Sequence, residues 1–197
     1  MMYRRMRQYY EYEGDNMVID IYKERPEKYN IIYADPPWSY RDNGMPGGAE
    51  QHYPTMSIDD IKALPIQNIA ADNCILFIWA TFPLLQEALD VITSWGFTYK
   101  TIGFTWVKHN KHNIGWFYGT GSYTRSNAEV CLIATKGDKL PRKDMGICSV
   151  IDTPIQEHSK KPDIVRRQIV KLMGDIPRIE LFARREYSGW DSFGNEL

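Results

Sequence analysis

The chain shows no sustained apolar period until Tyr29. From there, short apolar runs ending in turn residues alternate with longer segments whose apolar positions recur at helical spacing. Tyr29–Ala34 is apolar except for Asn30 and is halted by Pro36 and Pro37, which predicts a buried parallel strand. Residues 74–80 form a second such run, and 101–107, 130–134 and 178–182 predict three more strands. Leu84, Leu85, Ala88, Leu89, Val91, Ile92 and Trp95 share one helical face, and Gly96 stands where a left-handed cap closes a helix. Residues 163–173 predict another helix, with Pro162 just before it. Strands alternating with helices give the α/β class: one open, mostly parallel sheet with helices on its faces. The expected organisation is a single domain over 29–197, with 1–28 as an appendage. Residues 42–54 and 110–127, rich in Gly and in Pro or Asn, predict long loops of the kind that carry binding function.

Composition narrows the class. The 197 residues suit one domain, and 43% hydrophobic with 25% charged residues is a globular balance that argues against extensive disorder. A formal charge of −1 leaves no broadly basic body to grip nucleic acid without help from local patches or a partner. Tyr and Arg crowd residues 1–16, a mixture that fits base stacking and phosphate contact, but the stronger reading is a fraying terminus whose Glu11, Glu13 and Asp15 offset the charge. Lys108 to His112, Lys139 to Lys143 and Arg166-Arg167 are basic clusters that read as phosphate contacts if they converge and as solvated surface if they do not. Cys74, Cys131 and Cys148 lack metal or disulfide spacing, and the four histidines form no HExxH, so no metal is expected. No run approaches the roughly 20 apolar residues of a membrane span, and the opening residues lack a secretory signal core, so a soluble, cytoplasmic protein is expected.

The sharpest chemical signal is Asp35-Pro36-Pro37-Trp38, placed directly after the first predicted buried strand. Ligands of open α/β sheets bind beyond the carboxyl ends of the strands, which is where this turn falls. The prolines stiffen it, remove backbone donors and leave acceptors beside an aromatic ring. Such a set suits an exocyclic amine on a nucleobase, whose nitrogen lone pair is delocalised into the ring. Acceptors at Asp35 and the Pro36 carbonyl would hold the amine hydrogens and return electron density to the attacking nitrogen. Trp38 would cover the base and fix the line of attack. The plainer alternative is that the prolines end a strand and Trp38 is core.

Several ordered stretches take the reading further: Ala34-Asp35-Pro36-Pro37-Trp38, His52-Tyr53-Pro54-Thr55-Met56-Ser57, Leu76-Phe77-Ile78-Trp79-Ala80-Thr81, Trp106-Val107-Lys108, Glu129-Val130-Cys131-Leu132, Ser159-Lys160-Lys161-Pro162-Asp163 and Ile179-Glu180-Leu181-Phe182-Ala183-Arg184. Together they resemble the MT-A70-like adenine-N6 methyltransferases over about residues 29–196. The resemblance implies a Rossmann-like methyltransferase fold with permuted motif order, S-adenosylmethionine as cofactor, and methyl transfer to adenine N6. By the same resemblance, Asp35, Pro36, Pro37 and Trp38 are catalytic. Asp35, Lys161, Phe182, Arg184, Asn195 and Glu196 then hold the cofactor, with Lys161 and Arg184 suited to its carboxylate. Tyr53, Trp79, Trp106, Lys108 and Glu129 face the substrate. Ala183, Glu186 and Glu196 depart from eukaryotic members, a difference that bears on cofactor affinity.

The likeness to the small bacterial and phage branch favours DNA over RNA, and a partner subunit or homodimer is not readable from the sequence. A cytosine-carbon methyltransferase is disfavoured because no Pro-Cys dipeptide supplies its nucleophile. A nicotinamide enzyme is disfavoured because Gly119-Thr120-Gly121-Ser122-Tyr123-Thr124 lacks the third glycine. A relative that binds nucleic acid or a partner without catalysis is the remaining alternative from another class.

Overall fold

The computed structural model describes residues 10–13, 16–19, 28–39, 55–112, 114–121, 123–157, 159–194 and 197. Near the amino terminus, β1 (Tyr10–Glu13) and β2 (Asn16–Ile19) pair antiparallel as a separate hairpin. The main body follows as β3 (Tyr29–Ala34), α1 (Ile58–Ala63), β4 (Ala70–Ala80), α2 (Leu85–Ser94), β5 (Thr98–His109), β6 (Ala128–Lys136), β7 (Val150–Pro154), α3 (Ile164–Met173), β8 (Arg178–Leu181) and β9 (Asp191–Phe193). Its seven strands lie in the order β7-β5-β6-β4-β3-β8-β9. Every neighbouring pair is parallel except the two made by β6, which runs against β4 and β5.

Alternation along the central strands builds two cores. Ile32 and Ala34 of β3, Leu76 and Ile78 of β4, and Val130, Leu132 and Ala134 of β6 face α1 and α2. Ile31, Tyr33, Ile75, Phe77, Trp79 and Cys131 face the opposite way, toward Val165, Ile169 and Met173 of α3. Helices therefore cover both faces, as the strand and helix periods predict. Helix α2 buries Ala88, Val91 and Ile92, and Gly96 adopts φ +79° directly after it, fulfilling the predicted cap. The indole N–H of buried Trp95 donates to the Ile61 carbonyl at 2.8 Å and locks α2 onto α1.

Sequence periodicity misses several elements. Helix α1 has only six residues, too few for a periodic signal, although Ser57 caps it by accepting the Asp60 N–H at 3.1 Å. Strands β7 and β9 have five and three residues at or beside the sheet edges, where apolar alternation is weak. The β1–β2 hairpin occupies a stretch from which no element was expected.

The chain crosses from β3 to β4 through α1 on one face and reaches β8 from α3 on the other. The crevice between β3 and β8 is thus a topological switch point. Helix α3 is pinned there: Arg166 grips Glu180 of β8 with two hydrogen bonds, and their side chains are 11% and 5% exposed. Replacing one partner strands a buried charge, whereas replacing both with apolar groups of similar volume does not. Arg166→Met should lower unfolding free energy by roughly 3–5 kcal/mol in urea titrations, and adding Glu180→Leu should recover most of that loss.

Candidate active site

Ala34 is the last residue of β3 to pair on both sides, with Ile78 of β4 and Leu181 of β8. Asp35 therefore leaves the sheet at its carboxyl edge with a strand on either flank. Because β6 is reversed, its first residues reach the same edge, and Glu129 lies opposite Trp106 of β5. The loop before α3 brings Lys161. Three strands and one loop thus deliver charged groups that the sequence spreads over more than a hundred residues: Asp35 after β3, Lys108 in β5, Glu129 in β6 and Lys161.

These groups form one ionic chain. The Lys161 Nζ lies 2.9 Å from Asp35 Oδ1 and 3.3 Å from Glu129 Oε2, and Glu129 Oε1 receives a hydrogen bond from Lys108 Nζ at 2.5 Å. The Ser159 carbonyl, on a residue with φ 58°, also accepts from Lys161 at 3.2 Å. Burial would raise Glu129, but the two ammonium groups outweigh it and hold the carboxyl below its usual range. Asp35, at the chain's end, is raised: burial dominates and Lys161 only partly offsets it. Two carboxyls sharing one lysine are therefore pushed apart, leaving Glu129 fixed as an anion and Asp35 responsive. Asp35 keeps a quarter of its side chain exposed.

That exposed part faces a cavity of about 170 Å³ lined by Asp35, Lys161, Glu180, Phe182, Arg184 and Tyr187. Phe182 follows the last residue of β8 and takes φ 60°, a left-handed conformation that is rare for a bulky side chain. The expected strand 178–182 thus ends one residue earlier, and Phe182 escapes strand alternation to line the cavity. Arg166, Glu180, Asp163 and Tyr187 form a second polar network beside it. The Arg166 guanidinium lies 3.8 Å from the Tyr187 ring centroid, and the Tyr187 hydroxyl donates to Asp163 at 2.5 Å. Sequence reasoning missed this network, although a glutamate between Ile179 and Leu181 in a buried strand was a visible signal. The reading of Arg166 as a phosphate contact or solvated surface is corrected: it is paired with Glu180.

The predicted aromatics play other parts. Trp38 is only 5% exposed and packs in the α1–α2 core, and its indole N–H donates to the Trp79 carbonyl at 3.1 Å. It anchors the turn to β4 and offers no open face, so its reading as a plate over a base is corrected. Trp79 is buried against α3, donates to the Tyr33 hydroxyl at 2.6 Å, and presents its ring 5.8 Å from Lys161 Nζ. Trp106 is equally buried, donates to the Thr153 carbonyl and lies 5.0 Å below Lys108 Nζ. Both rings support the lysines from beneath. The turn's carbonyls are partly spent as well: Pro36 O accepts the Trp38 N–H and Pro37 O the Met56 N–H, each at 2.9 Å. One lone pair remains on the Pro36 oxygen, since a carbonyl carries two. Tyr53, Asn195, Glu196 and the loop 42–54 lie outside the described residues.

The structure brings Asp35, Lys161, Glu129, Lys108, Phe182 and Arg184 to one edge of the sheet at the switch point. An anionic acceptor, supporting cations and a cavity lined by both signs of charge can hold a zwitterionic ligand beside an amine.

Comparison with known proteins agrees with this arrangement. Over 92% of its length the chain is 33% identical to the Type II methyltransferase M.MunI of Mycoplasma sp, of which 84% is covered. It is 29% identical to the N(6)-adenosine-methyltransferase MT-A70-like of Arabidopsis thaliana and 28% identical to the N(6)-adenosine-methyltransferase catalytic subunit METTL3 of Homo sapiens, each over 86% of the chain. It spans only 24% and 28% of those two longer proteins. The MT-A70 family model matches residues 29–196, which takes in the switch point, the ionic chain and the cavity, and the chain belongs to the MT-A70 family.

Proposed function

We propose that residues 29–197 act as one catalytic domain that transfers a methyl group from S-adenosylmethionine to the exocyclic N6 amine of adenine, with residues 1–28 an appendage to it. The observation that carries this reading is Asp35: a carboxylate at the carboxyl edge of β3, held by Lys161 and open to a cavity of mixed charge.

The residues present fit the cofactor. A cavity of about 170 Å³ suits a group of benzene size, comparable to the amino-acid end of the molecule. Arg184 offers a planar fork for its carboxylate, and the partly exposed carboxylate of Asp35 offsets its positive charge. Phe182, which lines the cavity, is proposed to pack against the cofactor. Asn195 and Glu196 are proposed for the ribose hydroxyls. When bound, S-adenosylmethionine would supply an electrophilic methyl carbon on a sulfonium sulfur, with a neutral thioether as the leaving group.

The chain's own residues activate the amine. Asp35 accepts one amine hydrogen and the free lone pair of the Pro36 carbonyl the other, which draws density onto N6 as it attacks. Asp35, already bonded to the N–H, would take the proton that the nitrogen sheds on accepting the methyl group. Lys161 keeps Asp35 ionised and oriented, and Glu129 with Lys108 keeps Lys161 in place. Trp79 and Trp106 support those ammonium groups, Trp38 holds the turn rigid, and Tyr53 is proposed to meet the base. A base stacked in duplex cannot reach this pocket, so the substrate is an extruded or single-stranded adenine.

DNA is favoured over RNA: a relative matched along most of both chains is a Type II methyltransferase, whereas two relatives named for adenosine are matched over only about a quarter of their length. The cytoplasm is the proposed setting; separately, no helix among the described residues is long and apolar enough to cross a membrane. A non-catalytic relative would not need Asp35 charged and open to a cavity.

Methyl incorporation should fall by about 10²–10³-fold in kcat for Asp35→Asn with cooperative thermal unfolding preserved; unchanged turnover would refute the mechanism. Only ionised Asp35 accepts the amine hydrogens, so kcat/KM should fall as pH drops through its pKa. Because that pKa is raised, the acidic limb should lie above the ordinary value of about 3.9. Removing the stabilising cation with Lys161→Met should move the limb to still higher pH. In parallel reactions with duplex DNA, single-stranded DNA and RNA, DNA should be the better substrate; product on RNA alone would overturn the DNA choice.

A further inference from the structure

A second cavity, of about 620 Å³, lies on the α3 face at the other end of the sheet. Its floor includes Ile75, which pairs with Ile31, so it begins about four residues, on the order of 13 Å, from Asp35 along the strands. Phe104, Ile133, Leu172 and Met173 complete an apolar interior. The roof is the segment 137–147, which contributes Leu140 and Ile147. That roof is fastened at two points: the Asp138 N–H donates to Asn73 Oδ1 and the Lys143 N–H to the Leu172 carbonyl, both at 2.7 Å.

The charge around this cavity has one sign. Lys100, Lys139 and Arg142 line it, and no acidic residue does. None of the three has an ion-pair partner among the described residues. The nearest acids in sequence are Asp138, which follows the turn at Gly137 outside the lining, and Asp144, whose Oδ1 is bonded to the Gly146 N–H. Cys74 in the floor adds no negative charge, because burial pushes its thiol up to about 12.

A space of this size is far larger than the packing voids of a protein interior and falls within the roughly 300–1,000 Å³ of small-molecule sites. An apolar body with a cationic mouth is complementary to a ligand that joins a hydrocarbon tail to an anionic head. The fastened roof favours a small molecule over a docked protein segment.

We propose that this cavity binds a small amphipathic carboxylate, its tail among Ile75, Ile102, Ile133 and Leu172 and its head at Lys139 and Arg142. The site is separate from the methyl-transfer cavity, and its test needs no enzymatic turnover. Calorimetric titration of the full chain with decanoate should give saturable one-to-one binding. Acetate, the head alone, should give none, and 1-decanol, the tail alone, should bind about tenfold more weakly. The double variant Lys139→Glu, Arg142→Glu should also lose about tenfold or more, with Lys139→Gln, Arg142→Gln as the milder form should charge reversal impair folding. In methyl NMR spectra of the unaltered protein, decanoate should move the resonances of Ile75, Ile133 and Ile147 while sparing Ile32 and Ile78 on the other face. No saturable binding below about 1 mM, decanol binding as tightly as decanoate, or shifts confined to other methyl groups would overturn the proposal.

Discussion

A single ammonium group, that of Lys161, bridges two carboxyls arriving from different strands, and the rest of the site is arranged to make that possible. Asp35 and Glu129 stand on the same edge of the sheet and would repel each other without it. Lys108 on the far side of Glu129 and the Trp79 and Trp106 rings below confine the lysines to this position. Because Glu129 is held between two cations and Asp35 at the end of the row by one, the two acids differ in character. The first is held as an anion between two ammonium groups, and the second, a quarter exposed, faces the cavity.

This constraint explains a feature of the fold that is otherwise only a departure from regularity. A wholly parallel sheet would send the start of β6 to the opposite edge and carry Glu129 away from Lys161. Reversing that one strand puts its opening residues beside the ends of β3, β4 and β5. The two prolines and Trp38 serve the same end, since the indole bond to the Trp79 carbonyl ties the turn after β3 to the neighbouring strand. Removing that bond would loosen Asp35 while leaving its chemistry untouched. Phe182, in its left-handed conformation, and the Arg166–Glu180 pair then close the opposite wall.

The elements most legible in the sequence were those whose burial is one- or two-sided over many residues. Tyr29–Ala34, the core of β4 and the helix before Gly96 each declare themselves by apolar period and by what stops them. Short elements did not: α1 and β9 are too brief for a period, and the direction of β6 is a tertiary property that no local pattern encodes. The site was legible as a set of residue types, because Asp35, Lys161 and Glu129 fall in ordered stretches that resemble a known family. Their mutual arrangement was not. Trp38 shows why, since an aromatic beside a catalytic turn reads alike whether its face meets a ligand or its N–H braces a strand, and only its 5% exposure decides. Glu180 was overlooked for the opposite reason: its strand neighbours are so apolar that the stretch reads as core, although the charge within it needed a partner.

The carboxylate at the end of β3 is proposed to direct a methyl group to an exocyclic purine nitrogen and nowhere else. The most direct measurement is mass spectrometry of nucleosides digested from DNA after incubation with the protein and S-adenosylmethionine labelled in its methyl group. The account predicts the label in N6-methyladenine, with the mark absent from cytosine and from the ring nitrogens of adenine. Label recovered in a methylated cytosine, or on a ring nitrogen, would contradict it.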